Sequence, residues 1–244
     1  MLPMKNVWFA VLPATVREAW RPALTMMEFK KGDRLLLNED NESVYFPINC
    51  VATMTGKPAN GTASFLRFSS ANFVIGLADF LNGSDIQYEA IFCGAGYAFA
   101  LPSSMIRAAL PSVSELGQLQ VSAVSRIAEK VLLNGHCVGS HNGSQRLARI
   151  LLEAIDSFGE GRPVILTQQE LSDLLMLRRE TVSQMLNEWM SDDLVTLKRA
   201  TIAINHRALL EDKTCHCYRT IKEFERSELD FWRSIPWAVP ADDK

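Results

Sequence analysis

The chain has 244 residues, of which 48% are hydrophobic and 22% are charged. This composition predicts two ordinary domains with cores of their own and excludes a disordered or collagen-like polymer. The formal net charge is −3, and the charges are spread evenly along the sequence. A nucleic-acid-binding surface would therefore have to be local, because the composition by itself indicates no charged partner.

The N-terminus, the longest uncharged stretch and the cysteines of the sequence favour a cytoplasmic location. The first twenty residues carry a short apolar patch after a single lysine, Lys5, and fit a signal peptide poorly. The longest uncharged stretch, 90–106, is shorter than the roughly 20 residues that cross a bilayer as a helix, so we expect no membrane contact. Five scattered cysteines indicate free thiols in a reducing compartment.

The first half of the chain has the pattern of an antiparallel β-structure. Residues 14–20 predict a short helix, and short apolar runs then alternate with turn residues from about Thr25 to Leu101. The turn clusters are residues 30–33, 38–43, 56–61 and 82–85. Turns at this spacing predict a sheet folded on itself as a sandwich or roll.

A long amphipathic helix is predicted after Pro111. Its apolar residues recur at three- and four-residue steps: Val113, Leu116, Leu119, Ala123, Val124, Ile127 and Val131. The stripe is narrow and lacks a strict heptad, so we expect the helix to pack partly on its own domain and partly on a second copy. A purely intramolecular helix is the alternative. The expected dimer contacts are Leu116, Leu119, Ala123, Val124, Ile127 and Val131.

A second domain is predicted after a Gly/Ser/Asn-rich linker at residues 134–144. A helix covers residues 144–158, and the stretch from Ala208 to Trp232 predicts one further helix. Between them, Thr167 and Glu170 form an S/T-x-x-E capping box that begins a short helix.

The capping box opens a pair of short helices. The first buries Leu171, Leu174 and Leu175, and a tight turn at Met176-Leu177 leads to a second helix. With Val182, Met185, Leu186 and Trp189 facing the core, the outward residues of the second helix are Arg179, Glu180, Ser183, Gln184 and Asn187. Arginine, glutamate and glutamine on one exposed helical face have the chemistry of base readout in a major groove, although a solvated face with incidental charges would look the same.

The helix pair is followed by a short hairpin. Two apolar strands, Val195–Leu197 and Ile202–Ile204, flank a turn of Lys198, Arg199 and Ala200. Two cations at a hairpin tip suit contact with a phosphate backbone. The pattern therefore predicts a winged helix-turn-helix.

The segments "TQQELSDLL", "RRETVSQMLNEW" and "LVTLKRATIAI" resemble the winged helix-turn-helix of the Crp/Fnr regulators. The resemblance extends over nearly the whole chain, since "SVYFPINCVATM" resembles the roll of one branch and "SQRLARILL" and "CHCYRTIKEF" resemble its C-terminal domain and tail. It implies an α+β fold with an antiparallel β-roll of the cyclic-nucleotide-binding type, a long dimerisation helix and a winged helix-turn-helix. The implied divisions are 1–110 for the roll, 111–138 for the dimerisation helix and hinge, 139–220 for the DNA-binding domain and 221–244 for a helical tail.

The resemblance implies a bacterial, homodimeric transcription regulator that reads a palindromic operator through a helix from about Arg178 to Met190. Its partners would be double-stranded DNA and RNA polymerase. The implied base-reading residues are Arg179, Glu180, Ser183 and Gln184. The implied phosphate contacts are Thr167, Gln168, Gln169, Arg178, Lys198 and Arg199. Two departures from the family pattern stand out: Gln184 replaces a second arginine, and Met176 replaces the usual turn glycine, where a side chain costs backbone strain.

The roll lacks the residues that the family's known sensors use. Leu77 stands where nucleotide-binding relatives have glutamate, and Gln87-Tyr88 stands where they have Arg-Ser. No lysine or arginine lies between Arg67 and Arg107, and a buried phosphate without a cation is costly. Clustered N-terminal cysteines for an iron–sulfur centre and histidines in the roll for haem are also missing. We therefore expect no cofactor, and any small-molecule effector is unidentified.

Cys215-His216-Cys217 raises the question of a metal or redox site. If the three residues lie on one helix, the two cysteines point about 200° apart and cannot grip one ion, so we expect buried packing and no metal. A thiol switch that uses Cys137, Cys215 and Cys217, with His136 and His141 nearby, is the alternative.

Two other functional classes compete with a DNA-binding regulator. A cupin-like enzyme is disfavoured because the roll has no histidine to bind a metal, and no nucleophile elbow, phosphate loop or zinc pattern occurs. We therefore expect no enzyme. A protein-interaction or redox-sensing module with degenerate DNA binding remains the alternative.

Overall fold

The computed structural model describes residues 4–37, 42–59, 61–77 and 87–234. Among these residues, no helix is both long enough and apolar enough to cross a membrane. Strand and helix bounds below refer to this part of the chain.

An antiparallel β-roll forms the first half, as the turn spacing predicts. Three short helical segments precede it: α1 (Val7–Ala10), α2 (Ala14–Trp20) and a 3-10 turn (Arg21–Ala23). The strands are β1 (Thr25–Phe29), β2 (Arg34–Leu37), β3 (Ser43–Pro47), β4 (Ala52–Lys57), β5 (Ser64–Ser69), β6 (Gln87–Phe92) and β7 (Gly96–Pro102). One sheet has the order β1-β7-β3 and the other β2-β6-β4-β5, with every pairing antiparallel.

The inside of the roll is filled by its own side chains. The rings of Phe29 and Phe92 stack with centroids 3.8 Å apart, and Met54, Ile75 and Ala90 are buried beside them. Alternation along each strand directs these residues inward, and aromatic pairs add to the stabilisation from buried area. Part of the segment that the resemblance aligns with a nucleotide pocket, residues 78–86, lies outside the described residues.

After the short helix α3 (Ser103–Ala109), the predicted long helix is longer than its apolar stripe suggests. This helix, α4 (Ser114–Ser140), has 27 residues. The linker predicted at residues 134–144 is therefore wrong, since only His141 and Asn142 separate α4 from the next helix. Gly135 and Gly139 each cost roughly 1 kcal/mol relative to alanine in a helix, but tertiary contacts override that preference. Asn134 and Cys137, which lie among these glycines, supply those contacts.

The second half is helical with a two-stranded wing. Its elements are α5 (Gly143–Phe158), α6 (Gln168–Leu175), α7 (Arg179–Ser191), β8 (Val195–Lys198), β9 (Thr201–Ile204), α8 (Arg207–Lys213) and α9 (His216–Ser234). The single helix predicted from Ala208 to Trp232 is wrong. Thr214 adopts an extended conformation with φ −82° and ψ 163°, which ends α8, and Cys215 lies before α9 begins.

A buried ionic cluster joins α4 to α5. The Glu153 carboxylate lies 2.7 Å from Lys130 Nζ and 2.7 Å from Arg149 Nη1. Arg149 also donates to Asn134 Oδ1 at 2.8 Å, and the Asn134 amide donates to the carbonyl of Phe65 in β5 at 3.1 Å. The cluster therefore connects the roll, the long helix and the first helix of the second domain.

The pKa of Glu153 depends on the two cations of this cluster. Burial raises the pKa of Glu153, but Lys130 and Arg149 outweigh burial and hold this pKa below its usual range. Because the folded-state pKa is depressed, the stabilisation is present at neutral pH and is lost as the pH falls through the folded value.

We expect Glu153→Gln to lower the free energy of unfolding by about 3–5 kcal/mol, because it leaves two buried cations without their anion. Glu18→Gln is the matched control, since Glu18 pairs with Arg21 at the exposed surface and such pairs contribute less than about 1 kcal/mol. Urea unfolding followed by circular dichroism measures both. Equal midpoints for the two variants would show that the cluster does not hold the domains together.

Candidate DNA-binding surface

The predicted capping box sets where α6 begins. Thr167 Oγ1 accepts from the Glu170 backbone N–H at 3.1 Å, and the Glu170 carboxylate accepts from the Thr167 N–H at 2.6 Å. Leu171 and Leu175 are buried, while Leu174 is partly buried on the same core. The prediction of a helix starting here is confirmed.

The turn after α6 carries the strain expected from its sequence. Met176 has φ 53° and ψ 43°, the left-handed conformation that favours glycine, and its side chain is exposed. A stabilising contact that sequence reasoning missed comes from α5. The buried Arg146 guanidinium donates to the Leu175 carbonyl and so satisfies the C-terminal end of α6.

The second helix of the pair, α7, buries one face and exposes the other. Val182, Leu186 and Trp189 are buried, and Met185 is partly buried. The side chains predicted to face outward do so: Arg179, Glu180, Gln184 and Asn187 are exposed and Ser183 is half-buried. Arg178 is the exposed N-cap and makes no side-chain cap.

Side chains of α7 and the start of α6 line a shallow open groove. Its lining residues are Gln168, Arg179, Glu180, Ser183, Gln184, Asn187, Glu188 and Ser191. Within it, Gln184 Nε2 donates to Glu188 Oε1 at 3.0 Å. Sequence reasoning did not single out Glu188, although its spacing of four residues from Gln184 on a helix could have revealed the pair.

The cations of this surface are exposed. The ion pairs formed among residues 4–37, 42–59, 61–77 and 87–234 use neither Arg178 nor Arg179, and they use neither cation of the wing. Gln169 differs, because its amide donates to Asp173 Oδ1 at 2.9 Å and to Ser172 Oγ at 3.2 Å. A phosphate would have to compete with these bonds for Gln169.

The wing has the predicted strands and tip. Val195 pairs with Ile204 and Lys198 with Thr201, so Arg199 and Ala200 form the turn. Ala200 has φ 59°, which closes this two-residue hairpin. Lys198 and Arg199 are exposed at the tip. Val164 exchanges backbone hydrogen bonds with Ile202 and anchors the wing to the domain core.

The apolar stripe predicted on α4 divides into two faces. Leu116, Leu119 and Ala123 are buried against the roll and the N-terminal helices, so they are not free to contact a second chain. Val124 and Val131 are 43% and 45% exposed, and Ile127 is half-buried. The prediction treated two adjacent faces as one because their spacings overlap along the helix.

Comparison with known proteins supports the assignment of α6 and α7 as a helix-turn-helix. Residues 145–213 match the family described as the Crp-like helix-turn-helix domain. No curated protein matches the chain.

Solved structures show the same fold. The FixK2 protein of Bradyrhizobium japonicum superposes with a TM-score of 0.65 at 16% identity, over 79% of this chain and 98% of that one. A transcriptional regulator of the Crp/Fnr family from Eubacterium rectale gives 0.63 at 16% identity, over 85% and 95%. A Crp-family transcriptional regulator from Thermus thermophilus gives 0.62 at 19% identity, over 77% and 95%. The chain therefore contains a Crp-like helix-turn-helix domain at residues 145–213 and shares its overall fold with these solved structures.

Proposed function

We propose that the protein is a bacterial, cytoplasmic transcription regulator that binds a palindromic operator as a homodimer. The observation that carries this proposal is the outward face of α7, where Arg179, Glu180 and Gln184 stand together on a helix of the matched domain. RNA polymerase is the expected further partner. An effector, if one binds the roll, would be different from a cyclic nucleotide.

Each of these side chains suits a particular base edge. Arg179 can donate two hydrogen bonds to guanine O6 and N7, and Glu180 can accept from cytosine N4. Gln184 can pair with adenine, provided that it gives up its bond to Glu188. Because Gln184 replaces the family's second arginine, the operator half-site should differ from the best-known one of the family.

Contacts to phosphate would come from both sides of α7. Arg178 is the N-cap of α7, Thr167 and Gln168 lie at the start of α6, and Lys198 and Arg199 are exposed on the wing. Such contacts orient the protein on the duplex and carry little sequence information. Since the chain is acidic as a whole, the attraction to DNA should be confined to this surface.

Dimerisation would use the exposed face of α4. Small and branched apolar residues recur there with alternating steps of four and three: Gly117, Val121, Val124, Ala128, Val131, Gly135 and Val138. All except the half-buried Gly117 are exposed, and Val121 reaches 68%. A 4-3 repeat is the seam of a coiled coil, and glycine and alanine within it allow close approach of two helices. This stripe replaces the buried Leu116, Leu119 and Ala123 as the proposed interface.

Arg179→Ala should abolish the base preference at one position of each half-site, because it deletes the guanine contact while leaving the fold intact. Each lost bidentate contact corresponds to about 1–3 kcal/mol of discrimination. The measurement is selection of bound sites from a random duplex pool at fixed salt, with Arg21→Ala, an exposed arginine in the 3-10 turn before β1, as control. If wild type enriches no two-fold symmetric sequence, even with cell extract added, the protein-interaction alternative is favoured instead.

Lys198→Ala with Arg199→Ala should weaken binding by similar factors on every sequence. The slope of log affinity against log salt concentration should fall in magnitude by about 1 for each phosphate contact removed. Titrations of one operator and one unrelated duplex at several salt concentrations measure this. A change in sequence preference with an unchanged salt slope would show that the wing reads bases.

Val124→Glu should dissociate the dimer, because it places two like charges in the apolar seam. Ser125→Glu, one exposed position away, is the matched control. Analytical ultracentrifugation should show monomers for the first variant and dimers for the second, with operator affinity lost only in the first. Dimers in both variants would show that the interface lies on another surface.

A further inference from the structure

Four potential metal ligands meet where the long helix ends. Cys137 lies in the last turns of α4, and His141 is the C-cap of the same helix. Cys215 immediately precedes α9, and Cys217 lies in its first turn. One ligand atom from each side chain lies within 4.8 Å of all the others. The expectation that Cys215 and Cys217 point apart on one helix is wrong, because Cys215 is not helical.

The spacing of these atoms matches a single tetrahedral ion. Zinc binds sulfur at about 2.3 Å and histidine nitrogen at about 2.0–2.1 Å, so neighbouring ligands should be roughly 3.8 Å apart for two sulfurs and roughly 3.6 Å for sulfur and nitrogen. Cys137 Sγ lies 3.6 Å from Cys215 Sγ, and Cys217 Sγ lies 3.7 Å from His141 Nδ1. The other ligand pairs lie within 4.8 Å of one another.

The charges around the thiols also suit a metal-thiolate centre. Three thiolates and one divalent ion carry one net negative charge, and the buried Arg149 guanidinium, which acts electrostatically on Cys137 and Cys217, can offset part of it. Thiolate is the form that binds metal.

The three cysteines form a small buried cluster apart from the main cores. Their exposed fractions are 0% for Cys137, 4% for Cys215 and 0% for Cys217. A second set of potential ligands overlaps with this one, comprising His136, His141, His216 and Cys217, but His136 and His216 are exposed. Sulfur donors in a closed, buried site favour zinc in a structural role.

We propose that Cys137, His141, Cys215 and Cys217 bind one structural Zn²⁺ ion. The ion ties the end of the dimerisation helix to the start of α9, across the two-residue hinge between α4 and α5. It thereby sets the angle at which the helix-turn-helix is held. A Cys₃His ligand set leaves no open position, so the ion has no catalytic role here.

The test is the zinc content of untagged, full-length protein purified under reducing conditions with zinc supplied. Wild type should hold about one zinc per chain. Cys137→Ser, His141→Ala and Cys215→Ser should each lower zinc affinity about tenfold or more. Cys93→Ser, a buried cysteine in the roll, and the exposed-ligand variants His136→Ala and His216→Ala should retain the metal.

Cobalt substitution keeps the proposal testable if a cysteine variant fails to fold. Co²⁺ added to metal-free wild type should give the thiolate charge-transfer and intense visible bands of tetrahedral coordination, and zinc should displace them. Absence of both zinc and this spectrum in folded wild type would overturn the proposal. So would iron with sulfide, a Cys137–Cys215 disulfide in the reduced preparation, or loss of zinc only in His136→Ala and His216→Ala. None of these measurements involves DNA, so their outcome is independent of operator binding.

Discussion

The buried carboxylate of Glu153 is the constraint on which the arrangement of the two halves depends. It lies on α5 and is the shared anion of Lys130 on α4 and Arg149 on α5. A buried charge is tolerated only when it is paired, so these helices must assemble together. Because Asn134 bonds to both Arg149 and the backbone of β5, the roll is included in the same assembly.

This constraint explains why α4 continues through a glycine-rich segment. The segment from Asn134 to Ser140 has weak helix propensity, yet Asn134 and Cys137 are held by partners distant in sequence. A rigid helix that reaches the second domain transmits its orientation better than a flexible linker would. Strand β5 contacts α4, α5 and α6, so displacement of that strand would act on all three helices.

A second connection between the halves is weaker and more exposed. Lys31 of the roll lies 3.3 Å from Glu170, the residue that completes the capping box of α6. Partly exposed pairs of this kind contribute little to stability, but this one places the roll directly beside the start of the helix-turn-helix. The candidate DNA-binding surface is thus positioned by a strong buried cluster and adjusted by a weaker surface contact.

The exposed surface of α7 combines cations with acids. Arg178 and Arg179 lie on the same surface as Glu180 and Glu188, so the candidate DNA-binding surface is less positive than its arginines alone suggest. In the proposed complex with DNA, such a face would gain more from matching particular base edges than from general attraction to phosphate.

The sequence alone determined the elements that local rules control. The capping box at Thr167, the strained turn at Met176, the buried and exposed faces of α7 and the hairpin around Arg199 all follow from contacts between residues close in the chain. The roll followed from the regular spacing of its turns. Only the tertiary structure decided that residues 134–140 are helical, that Leu116 and Val124 belong to different faces, and that Cys137 and Cys215 meet. The helix at 134–140 and the cysteine contact depend on distant segments, whose energies outweigh local propensity. The two faces of α4 overlap in their spacing, so only the packing of the roll against one of them separates the two.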